Sequence, residues 1–547
     1  MAAPFTAGLF RLPVQQISLI LLGSGFLTVG FNYRLFRATA IAFPPSVDHV
    51  LFLASLGVVL FGVHVILLTV LSSRVLIKPL LGVWILIAAT VAYFADRYGT
   101  IIDDAMILNL LRTDSGEVMD LITPELLFRV VSLGCLPVAL FWKIRVVRTS
   151  LGRVILHKMV LLGGAVVLIA ASLFSFSAEY ATFFRQYKSI RFYSNPVYPV
   201  YSLVGAALES IEAPHDGALI RMADDAGIVE DGSKPELMIV VVGETARADH
   251  FSLYGYPRQT NPELLKLQNE LLVFDHVESC GTSTAVSVPC MFSLTDRADF
   301  NIDTAEHTEN VLDILQRTGV DVLWRDNNSD SKGVALRVPY ESFKTSDLNP
   351  DCNGECRDVG MLSGLQSWID DRHGDGLVVL HQMGNHGPAY SRRYPPDFEQ
   401  FIPACQNNDL SACKDEAIVN AYDNAILYTD WFLVQVIRLL RDNADRFEVA
   451  MLYVSDHGES LGERGIYLHG MPFAIAPEAQ THVPALLWFG SLEYVNSTLL
   501  RQQVHEATSH DAISDTLLEY FEVKDTGLTN LNPLFVAHAK DLSLIHI

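Results

Sequence analysis

Glu236-Leu237-Met238-Ile239-Val240-Val241-Val242-Gly243-Glu244-Thr245 is the stretch on which the reading of the chain turns. After Glu236 the run is apolar and rich in β-branched side chains. A strand with one wet face would alternate polar and apolar residues, so this one is expected to be buried on both faces. It stops at Gly243, and an acidic residue, Glu244, stands just past its end. Similar runs follow, separated by helical patterns. Asn310–Thr318 reads as a helix and Val320–Trp324 as a strand; Ser363–Asp371 is a helix and Leu377–His381 a strand. Asp415–Arg441 is a long amphipathic helix, followed by strands at Val449–Val454 and Val483–Phe489. Strands alternating with helices predict an α/β domain with a mostly parallel sheet. In such sheets the site lies beyond the carboxyl ends of the strands.

That edge carries a distinctive set of residues. Glu244 follows the first strand, His386 in Gly384-Asn385-His386-Gly387-Pro388 follows the third, and Asp456 and His457 in Ser455-Asp456-His457-Gly458-Glu459 follow the fourth. His469 comes twelve residues after His457. Any one of these could cap a loop. Together at three strand ends they form a constellation, and its mixture of oxygen and imidazole donors suits zinc.

A second stretch, Ser279 to Cys290, packs four hydroxyls and a glycine between two cysteines ten positions apart. Alone it reads as a Ser/Thr-rich turn capping a helix. Beside a metal, one of its hydroxyls becomes an activated nucleophile at a helix start, where the helix adds partial positive charge. The N–H groups there also suit a phosphate oxygen.

The first third of the chain is different. Up to Phe176 it holds 13 Lys+Arg and 8 Asp+Glu, whereas the remainder holds 26 and 54. Mean hydropathy over the chain is +0.26. A membrane portion followed by an acidic soluble portion is expected, and that acidity excludes a nucleic-acid-binding role, which needs basic surface. Five apolar runs, Val14–Phe31, Val50–Leu71, Leu76–Phe94, Leu126–Trp142 and Met159–Phe176, approach the ~20 residues a bilayer span needs. The first has no signal-peptide cleavage pattern and is expected to stay as an anchor. Arg74 and Lys78 in one loop, and Lys143, Arg145, Arg148, Arg153 and Lys158 in another, place those loops in the cytoplasm. Everything after Phe176 then lies outside.

The cysteines agree with that topology. Cys135 lies in an apolar run. The other six form three close pairs, Cys280 with Cys290, Cys352 with Cys356 and Cys405 with Cys413, as expected of disulfides in an oxidising compartment. Zinc-finger use is the rival, but only the Cys352 and Cys356 pair has finger-like spacing, and no His stands at the right offset. Within the spans, His64 is expected to bond a neighbouring helix. In the outer loop Asn109, Thr113 and Glu117 are spaced to share one face of a helix.

The domain expectation is a transmembrane domain of five helices over residues 1–176, an amphipathic interfacial linker over 177–234, and an extracytoplasmic catalytic domain over 235–541. The linker's aromatic residues, among them Phe183, Phe184, Tyr187 and Tyr201, suit the bilayer interface. Leu542-Ser543-Leu544-Ile545-His546-Ile547 does not continue the preceding helical pattern, matches what a sequencing-adapter end would encode, and reads as an assembly artefact or a truncated reading frame.

With these motifs in order, Val242-Gly243-Glu244-Thr245-Ala246-Arg247, Cys280-Gly281-Thr282-Ser283-Thr284, Gly384-Asn385-His386-Gly387-Pro388 and Ser455-Asp456-His457-Gly458-Glu459, the chain resembles the lipid A phosphoethanolamine transferases. That group includes the mobile colistin-resistance enzymes and belongs to the alkaline phosphatase/sulfatase superfamily. The resemblance implies that Thr284, rather than Ser283 or Thr282, is the nucleophile. It implies one tight zinc held by Glu244, Thr284, Asp456 and His457, with His386 and His469 binding substrate phosphate or a second zinc. Asn109, Thr113, Glu117, Ser329 and Lys332 match the family's lipid head-group contacts. The implied donor is phosphatidylethanolamine, the acceptor a lipid A phosphate, and the setting the Gram-negative inner membrane with the catalytic domain of a monomer in the periplasm. The implied outcome is resistance to polymyxins such as colistin.

Three rivals fit less well. A sulfatase needs Cys/Ser-x-Pro-x-Arg, and Ser287-Val288-Pro289-Cys290-Met291 has Met where Arg is required. A glycerol-phosphate transferase of the lipoteichoic-acid type shares the topology but not the three cysteine pairs or the aromatic linker. A membrane sensor with a structural zinc would close the site with four side chains and need no hydroxyl.

Overall fold

The computed structural model describes residues 13–113, 115–212, 219–228, 234–491, 498–528 and 531–535. Leu542–Ile547 lies outside them. The described chain divides into two compact units. One comprises the residues up to Ile107 with Ile122–Ala206, the other Leu108–Leu121 with the residues from Ala207 onward.

In the helical unit, Val47–Leu71, Ile77–Tyr98, Pro124–Lys143 and Leu151–Ser175 are long and apolar enough to cross a membrane. The expected first span is a pair, α1 (Gln16–Gly30) and α2 (Tyr33–Ala42), bent by 55°. The break falls at Asn32, which is buried and whose amide donates to the Leu27 carbonyl at 2.9 Å and the Asn195 carbonyl at 2.8 Å. Asn195 answers with its own amide on the Phe31 and Ala88 carbonyls. The bonds to the Leu27 and Phe31 carbonyls satisfy acceptors that the end of α1 leaves orphaned. They also seat the segment after Phe176 in this unit. There Tyr180 and Phe183 pack with Phe43 and Phe52, while Phe184 and Tyr201 remain exposed. His64 does bond a neighbouring helix, with Nδ1 2.9 Å from Thr28 Oγ1.

The second unit is built on an eight-stranded sheet: β1 (Glu236–Gly243), β2 (Leu271–Glu278), β3 (Asp321–Asp326), β4 (Tyr340–Ser342), β5 (Gly376–His381), β6 (Glu448–Ser455), β7 (His482–Phe489) and β8 (Ala507–Ser509). The spatial order is β8-β2-β7-β6-β1-β5-β3-β4. All neighbours are parallel except β6/β7 and β7/β2. Apart from its first residue, β1 is entirely buried, as its sequence predicts. One face packs against Val311, Leu312, Ile314, Leu315, Ile513 and Leu517, carried by helices Val311–Thr318 and Asp511–Tyr520. Helix Asp415–Arg441 also packs on β1 and β6. It has the predicted bounds, and its apolar face is buried.

Register is what matters for function. Gly243 pairs with Ser455, Val242 with His381, and His381 with Asp326. Four parallel strands therefore end at one level, and the residues just past those ends are brought together.

Two expectations are corrected here. β3 runs to Asp326, two residues beyond the expected end, which moves Asn327 and Asn328 to the sheet edge. Asn109, Thr113 and Glu117 do not share one helix: α3 (Asp104–Arg112) stops before Thr113, and α4 (Ser115–Leu121) carries Glu117. Thr113 Oγ1 donates back to the Asn109 carbonyl at 2.6 Å, a bond that competes with the helix ladder, and Gly116 adds a poor helix former just beyond.

Candidate active site

Glu244, Asp456 and His457 are fully buried at the edge, with their ligand atoms all within 4.8 Å of one another. His457 Nε2 lies 3.5 Å from Glu244 Oε1 and 3.3 Å from Asp456 Oδ2. The other ring nitrogen, Nδ1, is 2.9 Å from the Gly458 carbonyl. A carbonyl can only accept, so the proton sits on Nδ1 and the Nε2 lone pair faces the carboxylates. Asp456 Oδ1 accepts the N–H groups of Thr245 at 3.1 Å and His457 at 2.7 Å, which fixes the carboxylate plane.

Glu244 Oε1 and Asp456 Oδ2 are buried with no hydrogen-bond partner among the described residues. Two orphan carboxylate oxygens and an imidazole lone pair converge with no donor between them, which is the arrangement a divalent cation satisfies. The electrostatics agree. Burial, then repulsion from Asp456, pushes Glu244 well above the usual carboxylate range. Burial raises Asp456 to about 6 and holds His457 well below the usual imidazole range.

Helix Thr284–Met291 delivers the hydroxyl. Ser283 is extended at the N-cap, its carbonyl accepting the Ser287 N–H at 2.8 Å, so Thr284 is the first helical residue. Thr284 Oγ1 donates to Glu244 Oε2 at 3.1 Å and lies 3.4 Å from His457 Nε2. Nearby hydroxyls are turned to backbone carbonyls: Ser279 to Gly281, Thr282 to Met471, and Ser287 to Asp456.

The six cysteines expected to pair do so, Cys280 with Cys290, Cys352 with Cys356 and Cys405 with Cys413, and Cys135 is free. They do not all serve the site. The Cys280–Cys290 bond spans the segment that carries Thr284. Cys413, paired as expected, is tied to the fold elsewhere in the domain. It is half-buried just past the short turn Leu410–Ala412, and its N–H donates to the Leu410 carbonyl at 3.0 Å. Its partner Cys405 is buried and donates its N–H to the Ala417 carbonyl at 2.8 Å. A bridge between residues only eight apart closes a local loop, and here that loop is fastened to the start of helix Asp415–Arg441 rather than to the carboxylate and imidazole cluster.

His386 and His469 stand alongside that cluster, with ring centroids 5.5 Å apart; His469 is 4.5 Å from the His457 ring. Burial, then the charge of His469, lowers His386. Burial would lower His469 too, but the Glu459 carboxylate, 2.8 Å from Nδ1, outweighs it and raises the imidazole. Of the expected head-group residues, Glu117 reaches the site, with Oε2 3.9 Å from His386 Nε2. Ser329 Oγ bonds Asn328 Oδ1 at 3.0 Å, and Lys332 is buried with Nζ on the Arg112 carbonyl at 2.9 Å. Asn109 offers Thr113 its backbone carbonyl, the bond that ends α3.

Sequence reasoning missed three residues. Asn328, just past β3, donates to Glu244 Oε2 at 2.7 Å and to the Gln382 carbonyl at 2.8 Å. The strand-edge rule would have found it had β3 been placed two residues longer. Glu459 lay inside a quoted motif, but its meeting with His469 depends on the hairpin of Ser460–Leu461 with Tyr467–Leu468. Arg393 is buried, with Nε on the His386 carbonyl at 2.6 Å and Nη2 on Asp120 at 3.3 Å. Nothing local in its sequence signals this. A cavity of about 900 Å³ opens beside it, lined by Glu117, Asp120, Cys352, Cys356, Arg357 and Met383 among others.

The sulfatase family profile matches residues 236–523, and the profile described as phosphoethanolamine transferase EptA/EptB matches residues 60–211. Phosphatidylethanolamine transferase Mcr-1 of Escherichia coli is 43% identical over 530 residues, covering 94% of this chain and 96% of the relative. The chain belongs to the phosphoethanolamine transferase family. Phosphoethanolamine transferase EptA of Escherichia coli K12 is 38% identical, covering 97% of both chains. Among solved structures, the integral membrane protein lipooligosaccharide phosphoethanolamine transferase A (EptA) from Neisseria meningitidis matches with a TM-score of 0.90 at 33% identity, covering 94% of this chain and 97% of that one. The transferase is thus a multi-pass inner-membrane protein with its α/β domain in the periplasm.

Proposed function

We propose that this transferase moves phosphoethanolamine from phosphatidylethanolamine to a lipid A phosphate through a covalent intermediate on Thr284, and that the modification gives resistance to polymyxins such as colistin. The added amine offsets lipid A charge and weakens binding of cationic peptides. Mcr-1 is named for its phosphatidylethanolamine donor and the Neisseria protein for a lipooligosaccharide acceptor, which supports both substrate classes here. We take residues 1–176 as the transmembrane domain, 177–234 as the interfacial linker and 235–541 as the catalytic domain of a monomer.

The observation that carries this reading is Thr284 Oγ1 at 3.1 Å from Glu244 Oε2 and 3.4 Å from His457 Nε2, inside a group with orphan acceptors. Glu244, Asp456, His457 and Thr284 Oγ1 would hold one zinc, and His386 and His469 would meet substrate phosphate or a second ion. Bound zinc supplies a Lewis acid that makes the threonine hydroxyl ionisable near neutral pH and offsets charge developing at phosphorus.

The chain's own residues do the rest. The Thr284 proton leaves along its hydrogen bond to Glu244 Oε2. Oγ1 bonds to phosphorus as the bond to the diacylglycerol oxygen breaks. His469, whose imidazole the Glu459 carboxylate raises, gives that oxygen its proton. In the second half-reaction a lipid A phosphate hydroxyl gives its proton back to His469 as its oxygen attacks phosphorus, the Oγ1–phosphorus bond breaks, and the proton held at Glu244 returns to Oγ1. Glu117 beside His386 suits the ethanolamine ammonium.

The test is to incubate the full-length protein with fluorescent phosphatidylethanolamine or phosphatidylglycerol and digest it. Diacylglycerol release from phosphatidylethanolamine alone, with labelled phosphoethanolamine on the Thr284 peptide, is expected. Label elsewhere, or turnover of phosphatidylglycerol instead, would overturn the reading.

A further inference from the structure

His510 lies between β8 and helix Asp511–Tyr520, far in sequence from the site residues described above. It is fully buried and uses both ring nitrogens. The Cys280 N–H donates to Nδ1 at 3.0 Å, and Nε2–H donates to the Ser455 carbonyl at 3.0 Å. The two partners belong to different parts of the centre. Cys280 lies four residues before Thr284, and Ser455 lies immediately before Asp456.

The sheet leaves this relationship open. β2, which leads into the Thr284 segment, is separated from β6 by β7, so no ladder connects the nucleophile segment to the strand bearing Asp456 and His457. A side chain spans the gap. Ser287 supports the bridge: its Oγ is 3.4 Å from His510 Nδ1, accepts the Gly281 N–H at 3.3 Å and donates to the Asp456 carbonyl. Burial pushes the His510 imidazole down to about 3, so it keeps the neutral, Nε2-protonated form that this bonding requires.

We infer that His510 is a positioning residue: it ties the main chain ahead of Thr284 to the end of β6 and so sets the nucleophile against Asp456 and His457. The inference rests on Thr284 as nucleophile. Displacing a reacting atom by about 1 Å can cost on the order of 100-fold in rate. An amide carries an acceptor oxygen and an NH2 with two donors, so glutamine, whose nitrogen reaches the Nε2 position, can keep the bond to the Ser455 carbonyl, whereas asparagine carries the same groups on a shorter arm.

The experiment uses the full-length zinc-loaded protein and follows label from fluorescent phosphatidylethanolamine onto Thr284, with donor KM, zinc content by metal analysis and Tm measured in parallel. His510→Ala is expected to slow labelling about 10- to 100-fold, with donor KM and zinc content within about twofold of the parent. His510→Gln is expected within about threefold of the parent and His510→Asn at least about tenfold below it. Should the alanine variant not fold, the Gln/Asn pair decides. Alanine labelling within about twofold of the parent, equal rates for Gln and Asn, or a rate loss that tracks zinc or folded fraction would each overturn the inference. Absence of label on Thr284 in the parent would instead overturn the nucleophile assignment itself.

Discussion

The periplasmic domain buries two clusters of the same residue types, and they behave oppositely. At the sheet edge Glu244, Asp456 and His457 leave two carboxylate oxygens without partners. Elsewhere Asp423, equally buried, has both oxygens in use: Oδ1 takes His250 Nδ1 at 2.7 Å, and Oδ2 takes Tyr256 at 3.0 Å and Arg258 at 2.9 Å. His250 also stacks on Tyr256. The second cluster is a finished hydrogen-bond network with its own cation, and so it is structural. The first is unfinished without a cation from outside. Buried Asp and His do not by themselves mark a site; unsatisfied acceptors facing one another do.

The contrast can be broken in several ways. Thr284→Ala should have the largest effect, lowering transfer by at least ~10³-fold while zinc content and Tm hold, as read by lipid A mass spectrometry and metal analysis. Asp456→Asn should remove both transfer and zinc yet raise the stability of the metal-stripped protein by about 1–2 kcal/mol, because an amide there donates to the orphan acceptors. Asp423→Asn should do the reverse. Weakening its buried pairs costs about 3–5 kcal/mol in denaturant unfolding, while the folded fraction keeps zinc and turnover. If both substitutions shifted stability in the same direction, the distinction between the clusters would fail. Cys280→Ala/Cys290→Ala should lower activity more than zinc content; unchanged activity would show the disulfide to be incidental to the helix start.

Asp430 sharpens the comparison as an intermediate case. It is buried and accepts the N–H groups of Glu263 at 2.8 Å and Leu264 at 2.9 Å. Burial raises it to about 7. Its folded value lies above the unfolded one near 3.9. Its contribution to stability is therefore full below about pH 4 and is lost as pH rises toward 7. Asp430→Asn should flatten the fall in Tm between pH 4 and pH 7, and an unchanged slope would show that the carboxyl titrates normally.

Much of this was legible in the sequence because short-range patterns dictate it. An apolar run such as Leu237–Val242 cannot have a wet face, and Glu244, Asp456 and His457 declare themselves by standing just past such runs. The limits were equally physical. Thr113 ends α3 through a bond to the Asn109 carbonyl that spacing does not foresee. Asn328 was missed because strand ends are set by pairing, here with β5, rather than by composition. Spacing paired Cys405 with Cys413 correctly, but a local spacing carries no information on which part of the domain the loop is fastened to.

The sequence by itself determined that there is a membrane portion, an extracytoplasmic α/β domain, and a set of candidate metal ligands at strand ends, since hydrophobic periodicity, charge and cysteine pairing are local or summed properties. Only the tertiary structure decided which hydroxyl meets those ligands, which acceptors stay orphaned, and that His510 joins the two halves of the centre. Those are distances between segments as far apart as Glu244 and Asp456, or Cys280 and His510. They follow from strand register and packing, which no local stretch encodes.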